Sequence, residues 1–151
     1  MNVPHYRQEL DYSCLPACVR MVLAFWGAQF TEGELRTWLK TRITGTSPAS
    51  LMIRLPTIGF DASVFNASLK ILHDFVESGQ PAIVSVWTGP LSHWRHAVTH
   101  ALVVTGIEAD RVTVHDPAEA SGPMALQLDE FMAAWSLTGH TLIAISPATE
   151  A

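Results

Sequence analysis

CLPACVRMVLAFW, residues 14–26, is the stretch of this 151-residue chain that decides its fold. Arg20 is its one charged side chain, so a helix formed here is apolar on nearly every side and belongs at the centre of the protein. Ser13 precedes the stretch as an N-cap, Pro16 falls in the first turn, and Gly27 provides a stop. We therefore predict a buried helix over these residues.

Three further helices are expected before the first clear strand. Thr31-Glu-Gly-Glu34 has the form of a capping box and announces the second helix. The third begins at Ser47-Pro48, and the fourth follows Asn66, with apolar residues on one side before Gly79. The first part of the chain is thus predicted to be helical.

From Pro81 the pattern changes to short β-branched runs that are typical of strands. Strands are predicted over 82–87, 99–107, 111–115 and 141–145, the second and third joined as a hairpin, and Asp129 is expected to cap a short helix through Trp135. Helices followed by an antiparallel sheet make an α+β architecture. We predict one domain over residues 1–151, in which the buried N-terminal helix packs against that sheet.

Composition and charge exclude several classes of protein. Nine Lys+Arg against 14 Asp+Glu give a formal charge of -5 without any basic cluster, so nucleic acid is not expected as a partner. The most apolar run is shorter than the roughly 20 residues that a membrane span needs, and the N-terminus does not resemble a secretion signal. We expect a cytoplasmic protein whose two cysteines, Cys14 and Cys18, are free thiols. Its oligomeric state is not given by the sequence.

Four residues have the chemistry of a thiol-dependent acyl-transfer site. Cys14 begins the buried helix, where the backbone N–H groups favour the thiolate. His100 lies at the mouth of a predicted strand, and the next strand of the hairpin returns to it and ends at Asp116, which can orient the histidine. Gln8 can supply a side-chain amide for the developing oxyanion beside the Cys14 backbone N–H.

The chain resembles the C39-like cysteine peptidases of the papain-like superfamily. The resemblance rests on QELDYSCLPACVRMVLAFWG over residues 8–27, HALVVTG over 100–106 and VHDP over 114–117. It implies a papain-like fold, with Gln8 as the oxyanion-hole residue, Cys14 as the nucleophile, and His100 and Asp116 as the rest of the site. The family commonly has glycine after the nucleophile, where Leu15 stands here, and the 151 residues contain no transporter segment like that of the best-known leader peptidases.

The sequence therefore predicts a cysteine peptidase that cleaves a peptide or protein substrate through an acyl-enzyme at Cys14, with no cofactor. His93, Trp94 and Leu15 are expected to line the substrate cleft. An acyltransferase using the same four residues and a non-catalytic, peptide- or protein-binding member of the fold are the alternatives. No metal is expected, although a zinc site of Cys14, Cys18 and one histidine is conceivable.

Overall fold

A computed structural model describes residues 1–149 of the chain. The described residues form five α-helices, a 3-10 turn and six strands. The helices are α1 (Cys14–Phe25), α2 (Glu32–Trp38), α3 (Pro48–Arg54), α4 (Leu69–Glu77) and α5 (Leu128–Ser136), and the 3-10 turn covers Leu55–Ile58. The strands are β1 (Phe60–Asn66), β2 (Ala82–Trp87), β3 (Thr99–Ile107), β4 (Arg111–His115), β5 (Met124–Gln127) and β6 (Thr141–Pro147).

The six strands make one antiparallel sheet in the order β1-β6-β2-β3-β4-β5. β2 and β3 lie near its middle, with Val86 opposite His100. β3 and β4 form the predicted hairpin, whose register shifts between Val104 and Gly106. His100 and His115 therefore lie on neighbouring strands near one end of the sheet, which places the residue after His115 beside His100.

The sheet is covered by helices on both faces. α1, with α2 and α3, packs on the face that includes Ile83 and Val103, whereas α4 and α5 pack on the face that includes Val84 and Leu102. Successive side chains of a strand point to opposite faces, which is why neighbouring residues of β2 and β3 belong to different clusters. The central strands are consequently apolar on both sides.

The helix α1 is buried along most of its length, as predicted. Val19, Met21, Val22 and Leu23 are fully inaccessible to solvent. Burial of each such side chain contributes about 1.5–3 kcal/mol, so this helix anchors the fold and gives Cys14 a rigid support. The predicted α+β architecture, with the cysteine-bearing helix packed on an antiparallel sheet, is confirmed.

The predicted starts of α2 and α3 are confirmed, the latter with Ser47 directly before Pro48, whereas the predicted caps of α1 and α5 are wrong. The Thr31–Glu34 capping box is present, with both of its hydrogen bonds at 3.1 Å. Ser13 occupies the N-cap position of α1 but does not cap it, because its hydroxyl lies against Leu10 and Glu32 instead. Asp129 is not an N-cap, because α5 begins at Leu128, directly after β5.

The sequence did not predict the two edge strands β1 and β5. Because β1 lies between α3 and α4, the prediction that all four N-terminal helices precede the first strand is wrong. β1 precedes α4 and pairs only with β6, and β5 pairs only with β4. β1 carries polar residues at several positions, and β5 is four residues long. Neither has the continuous β-branched run that marks the buried strands. Within residues 1–149 no helix combines the length and the apolar character that a membrane crossing requires.

Candidate active site

Cys14 is the first residue of α1 and lies in a cleft of about 1260 Å³. The residues that line this cleft include residues 7–12, Cys14 and Leu15, and also Trp94 and residues 98–101. The side chain of Cys14 is half-buried, whereas Cys18, one turn further along the helix, is fully buried. Of the two free thiols, only Cys14 faces a space that a ligand could enter.

His100 lies between Cys14 and Asp116. Its Nε2 atom is 2.7 Å from Asp116 Oδ1, and its imidazole is near enough to the Cys14 thiol for each group to shift the pKa of the other. Because Asp116 occupies Nε2, the other ring nitrogen, Nδ1, is left for the sulfur. His100 is 4% exposed and Asp116 is fully buried, so this chain of contacts is largely shielded from water.

The electrostatics of the three residues favour a thiolate–imidazolium pair. Burial by itself raises the pKa of Cys14, but the hydrogen bond and charge of His100, with the backbone N–H groups of Ala101 and Leu15, lower the pKa below its ordinary value. Burial would also lower the pKa of His100, yet hydrogen bonds and charges of Asp116 and Cys14 raise it to about 9. Cys14 is thus held toward its anionic form and His100 toward its cationic form.

Asp116 accepts four hydrogen bonds. Oδ1 accepts from His100 and from the Ala118 backbone N–H at 2.9 Å, and Oδ2 accepts from His93 Nε2 at 2.7 Å and Trp94 Nε1 at 2.9 Å. Burial alone would raise the pKa of this carboxyl, but the His100 and His93 hydrogen bonds, the His100 charge and the Ala118 N–H hold it well below its usual range. The carboxylate is therefore ionised and fixed in orientation.

His93 and Trp94 were both expected to line the substrate cleft. In the structure both side chains hydrogen-bond Asp116 Oδ2. The Trp94 ring also packs against the imidazole of His100 at an angle of 57°, with ring centroids 4.6 Å apart, and lines the cleft. Leu15 is 7% exposed and lines the cleft beside Cys14. Contact between these side chains and a substrate stays a prediction.

Gln8 enters the cleft from the loop before α1. Its backbone N–H donates to the Pro117 carbonyl at 2.7 Å, which anchors the loop to the residue after Asp116. One N–H of its side-chain amide donates to the Leu10 carbonyl at 2.8 Å, and the second N–H has no acceptor among the described residues. Gln8 and Cys14 thus line the same cleft.

A buried carboxylate that the sequence did not single out supports this loop. Glu32 is fully buried and accepts hydrogen bonds from the Glu9 backbone N–H at 2.9 Å and the Ser13 hydroxyl at 3.1 Å. Arg36 pairs with both Glu32 and Glu9. An acidic residue in the first turn of a helix is ordinarily exposed, so nothing in the sequence marks Glu32 as buried.

The described residues contain one group with the spacing of metal ligands, namely His93, Asp116 and Glu119. A cation could use Asp116 Oδ2 only by displacing the N–H donors of His93 and Trp94. The conceivable zinc site of Cys14, Cys18 and a histidine is not among the groups that residues 1–149 bring together. Hydrogen bonding accounts for the arrangement around Asp116.

Comparison with known proteins places this site in context. The model of the peptidase C39 family matches residues 2–150. The chain is 30% identical over 140 residues to the transport/processing ATP-binding protein ComA of Streptococcus pneumoniae, a match that covers 91% of this chain. It is 27% identical over 131 residues, 87% of this chain, to the lactococcin-G-processing and transport ATP-binding protein LagD of Lactococcus lactis. This chain spans 18% and 17% of the length of these two relatives.

Solved structures share the fold. The peptidase domain of Streptococcus ComA superposes with a TM-score of 0.80 at 22% identity, covering 97% of this chain and 99% of that one. A double glycine motif protease from an AMS/PCAT transporter, in complex with the leader peptide, gives a TM-score of 0.77 at 17% identity, over 97% and 93% of the two chains. A C39-like peptidase from Bacillus anthracis gives 0.78 at 17% identity, over 99% and 96%.

Proposed function

The chain belongs to the peptidase C39 family, and on this premise we propose that Cys14, His100 and Asp116 are its catalytic residues and that Gln8 supplies the oxyanion donor. The protein is a cysteine peptidase with a papain-like fold. The observation that carries the assignment of residues is the position of His100, which hydrogen-bonds Asp116 and lines the same cleft as Cys14, whose pKa it lowers. A nucleophile, a base and an orienting carboxylate in contact make up the arrangement that covalent acyl transfer requires.

In the first step the Cys14 thiolate attacks the carbonyl carbon of the scissile peptide bond, and the carbonyl oxygen becomes an oxyanion. The Cys14 backbone N–H and the free N–H of the Gln8 amide donate to that oxygen. The His100 imidazolium then gives its proton to the leaving nitrogen, the C–N bond breaks, and an amine leaves. The acyl group remains on Cys14 as a thioester.

In the second step a water molecule takes the place of the amine. Neutral His100 accepts a proton from the water as its oxygen attacks the thioester, the C–S bond breaks, and the carboxylic acid product and the Cys14 thiolate are released. Asp116 keeps its charge throughout and holds Nε2 of His100, so that Nδ1 faces the sulfur in both steps. The same thioester would serve an acyltransferase if an amine replaced the water.

We propose peptides with a double glycine before the scissile bond as substrates. Support comes from the structural neighbour described as a double glycine motif protease in complex with the leader peptide, and from relatives whose names describe processing. Leu15 lies beside Cys14 in the cleft and reduces the space next to the nucleophile, which favours residues without side chains there. Cytoplasmic location stays a proposal, supported by two free thiols.

The assignment of Cys14 and His100 is tested by alkylation with iodoacetamide. We expect fast, stoichiometric modification of Cys14 at mildly acidic pH, located by peptide mass spectrometry, and at least a tenfold slower reaction in His100→Ala, because the imidazolium no longer stabilises the thiolate. Cys18 serves as the internal control, since burial and the nearby charges of Cys14 and Asp116 raise its pKa well above the ordinary value. Equal reactivity of the two cysteines, unchanged in His100→Ala, would rule the assignment out.

The substrate is tested with matched peptides that differ only in having Gly-Gly or Ala-Ala before the bond. We expect cleavage after Gly-Gly with kcat/KM at least tenfold above that for Ala-Ala, and a smaller ratio in Leu15→Gly because the cleft is wider. Equal cleavage of both peptides would reject double-glycine specificity while leaving the peptidase assignment intact. An added amine that captures the acyl group faster than water does would identify an acyltransferase.

A further inference from the structure

His93 is a second histidine on the carboxylate of the proposed site. Its Nε2 is 2.7 Å from Asp116 Oδ2, the oxygen that His100 does not use, while His100 Nε2 is 2.7 Å from Oδ1. The two imidazoles therefore hold opposite oxygens of one fully buried carboxylate. The mechanism described above uses His100 and leaves His93 without a part in it.

The surroundings of His93 indicate that this contact is the reason for a histidine here. Its side chain is 16% exposed, and its Nδ1 atom is buried without a hydrogen-bond partner in the described part of the chain. A residue that served packing alone would not leave a polar atom buried and unpaired, since that lowers stability. The bond to Asp116 is the polar contact that offsets this loss.

We propose that His93 is a positioning residue, which donates its Nε2–H to Asp116 Oδ2 and thereby limits how strongly the carboxylate attracts the His100 proton. This inference rests on the proposed roles of His100 and Asp116. It differs from the expectation that His93 contacts the substrate.

The direction of the effect follows from the four donors on Asp116. Each N–H that a carboxylate accepts reduces the negative charge available to its other partners. Without the His93 donor, Trp94 and the Ala118 N–H still hold the carboxylate in place, and Oδ1 interacts more strongly with the His100 imidazolium. The pKa of His100 therefore rises above about 9 when His93 is removed. The titratable groups that face this cluster are Cys14, Cys18, His100 and Glu119.

The experiment compares His93→Phe and His93→Gln with the unmodified protein. The pKa of His100 is followed by the NMR signal of its Cε1 proton, and the pH profile of kcat/KM is measured with a cleaved peptide. In His93→Phe we expect the pKa and the alkaline limb of the profile to rise together by about half a unit, with KM unchanged. In His93→Gln, whose amide nitrogen can occupy the place of Nε2, both values return to within about 0.2 units of the original.

Three outcomes would overturn the proposal. They are an unchanged or lower pKa of His100 in His93→Phe, a loss of activity with an unchanged pH profile, and a higher KM as the main effect, which would mean that His93 contacts substrate. If His93→Phe does not fold, His93→Asn, whose amide is too short to reach Oδ2, takes its place with the same expected shift. His73→Phe, an exposed histidine on α4, is the matched control and leaves the pKa of His100 unchanged.

The NMR titration needs no substrate, so it separates this inference from the proposed function. If Cys14→Ala still cleaves peptide, the proposed function fails whatever His93 does. If cleavage depends on Cys14 but the pKa of His100 is the same in His93→Phe as in the unmodified protein, only the inference about His93 fails.

Discussion

Replacement of Glu32 by alanine should destabilise the protein and slow its reaction, although Glu32 is not placed at the reacting atoms. Glu32 is fully buried at the start of α2 and accepts from the Glu9 N–H at 2.9 Å and the Ser13 hydroxyl at 3.1 Å, while Arg36 pairs with its other oxygen. Glu9 follows Gln8 and Ser13 precedes Cys14. The carboxylate thus ties together both ends of the loop that carries the oxyanion donor and the nucleophile.

The magnitude follows from these contacts. A hydrogen bond to a charged group is worth about 1.5–3 kcal/mol, and removing one partner of a buried ion pair costs about 3–5 kcal/mol. Arg36 is 24% exposed and keeps its second partner, Glu9, so part of the loss is recovered through solvent and that pair. We expect Glu32→Ala to lower the free energy of unfolding by about 3 kcal/mol, and Glu32→Gln, which keeps an acceptor oxygen, by about 1 kcal/mol.

The free energy of unfolding is measured by equilibrium urea denaturation of the two variants and of Glu77→Ala, an exposed acidic residue on α4 that serves as control. Under conditions where each variant is folded, kcat should fall about tenfold in Glu32→Ala and KM should change little, because the displaced loop misplaces Gln8. A loss of less than about 1 kcal/mol, or a loss of stability with kcat unaltered, would refute this reasoning.

Two further predictions concern pH. In Asp116→Asn no carboxylate opposes the lowering of the His100 pKa by burial, so this pKa should fall from about 9 by about 2 units. The alkaline limb of the pH profile of kcat/KM should move to lower pH by the same amount. Asp110→Asn, at the surface, is the control and should leave both unchanged. Burial and the charge of His5 lower the pKa of His115 to about 4, so the unfolded chain binds this proton first as the pH falls. The contribution of neutral His115 to the free energy of unfolding is complete above about pH 6.5 and is lost between pH 6.5 and pH 4, by up to about 3 kcal/mol. Urea denaturation of His115→Gln at several pH values should show a fall in stability that is smaller by this amount.

Much of the architecture could be predicted because strong local patterns mark it. The unbroken apolar character of α1 predicted its central place, and Thr31 with Glu34 marked the start of α2 by a capping box that the structure contains. The hairpin of β3 and β4 could be predicted from two β-branched runs and the short connection between them, and with it the nearness of Asp116 to His100.

Other features depend on contacts between distant segments and left no local pattern. The edge strands β1 and β5 each pair with one neighbour and keep polar or short sequences, so periodicity does not reveal them. Ser13 is drawn away from capping by Glu32, a residue 19 positions later. The bonds from His93 and Trp94 to Asp116 depend on how a loop folds over the sheet end, which residue type and spacing do not determine.

The central claim, that Cys14 forms a covalent acyl-enzyme, is tested most directly by acid-quenching the reaction with a Gly-Gly peptide and mapping the protein by mass spectrometry. The account predicts a thioester between the N-terminal product and Cys14, with Cys18 unmodified, together with loss of turnover in Cys14→Ala and near-original turnover in Cys18→Ala. Continued cleavage of the peptide by Cys14→Ala, or an adduct on another residue, would contradict it.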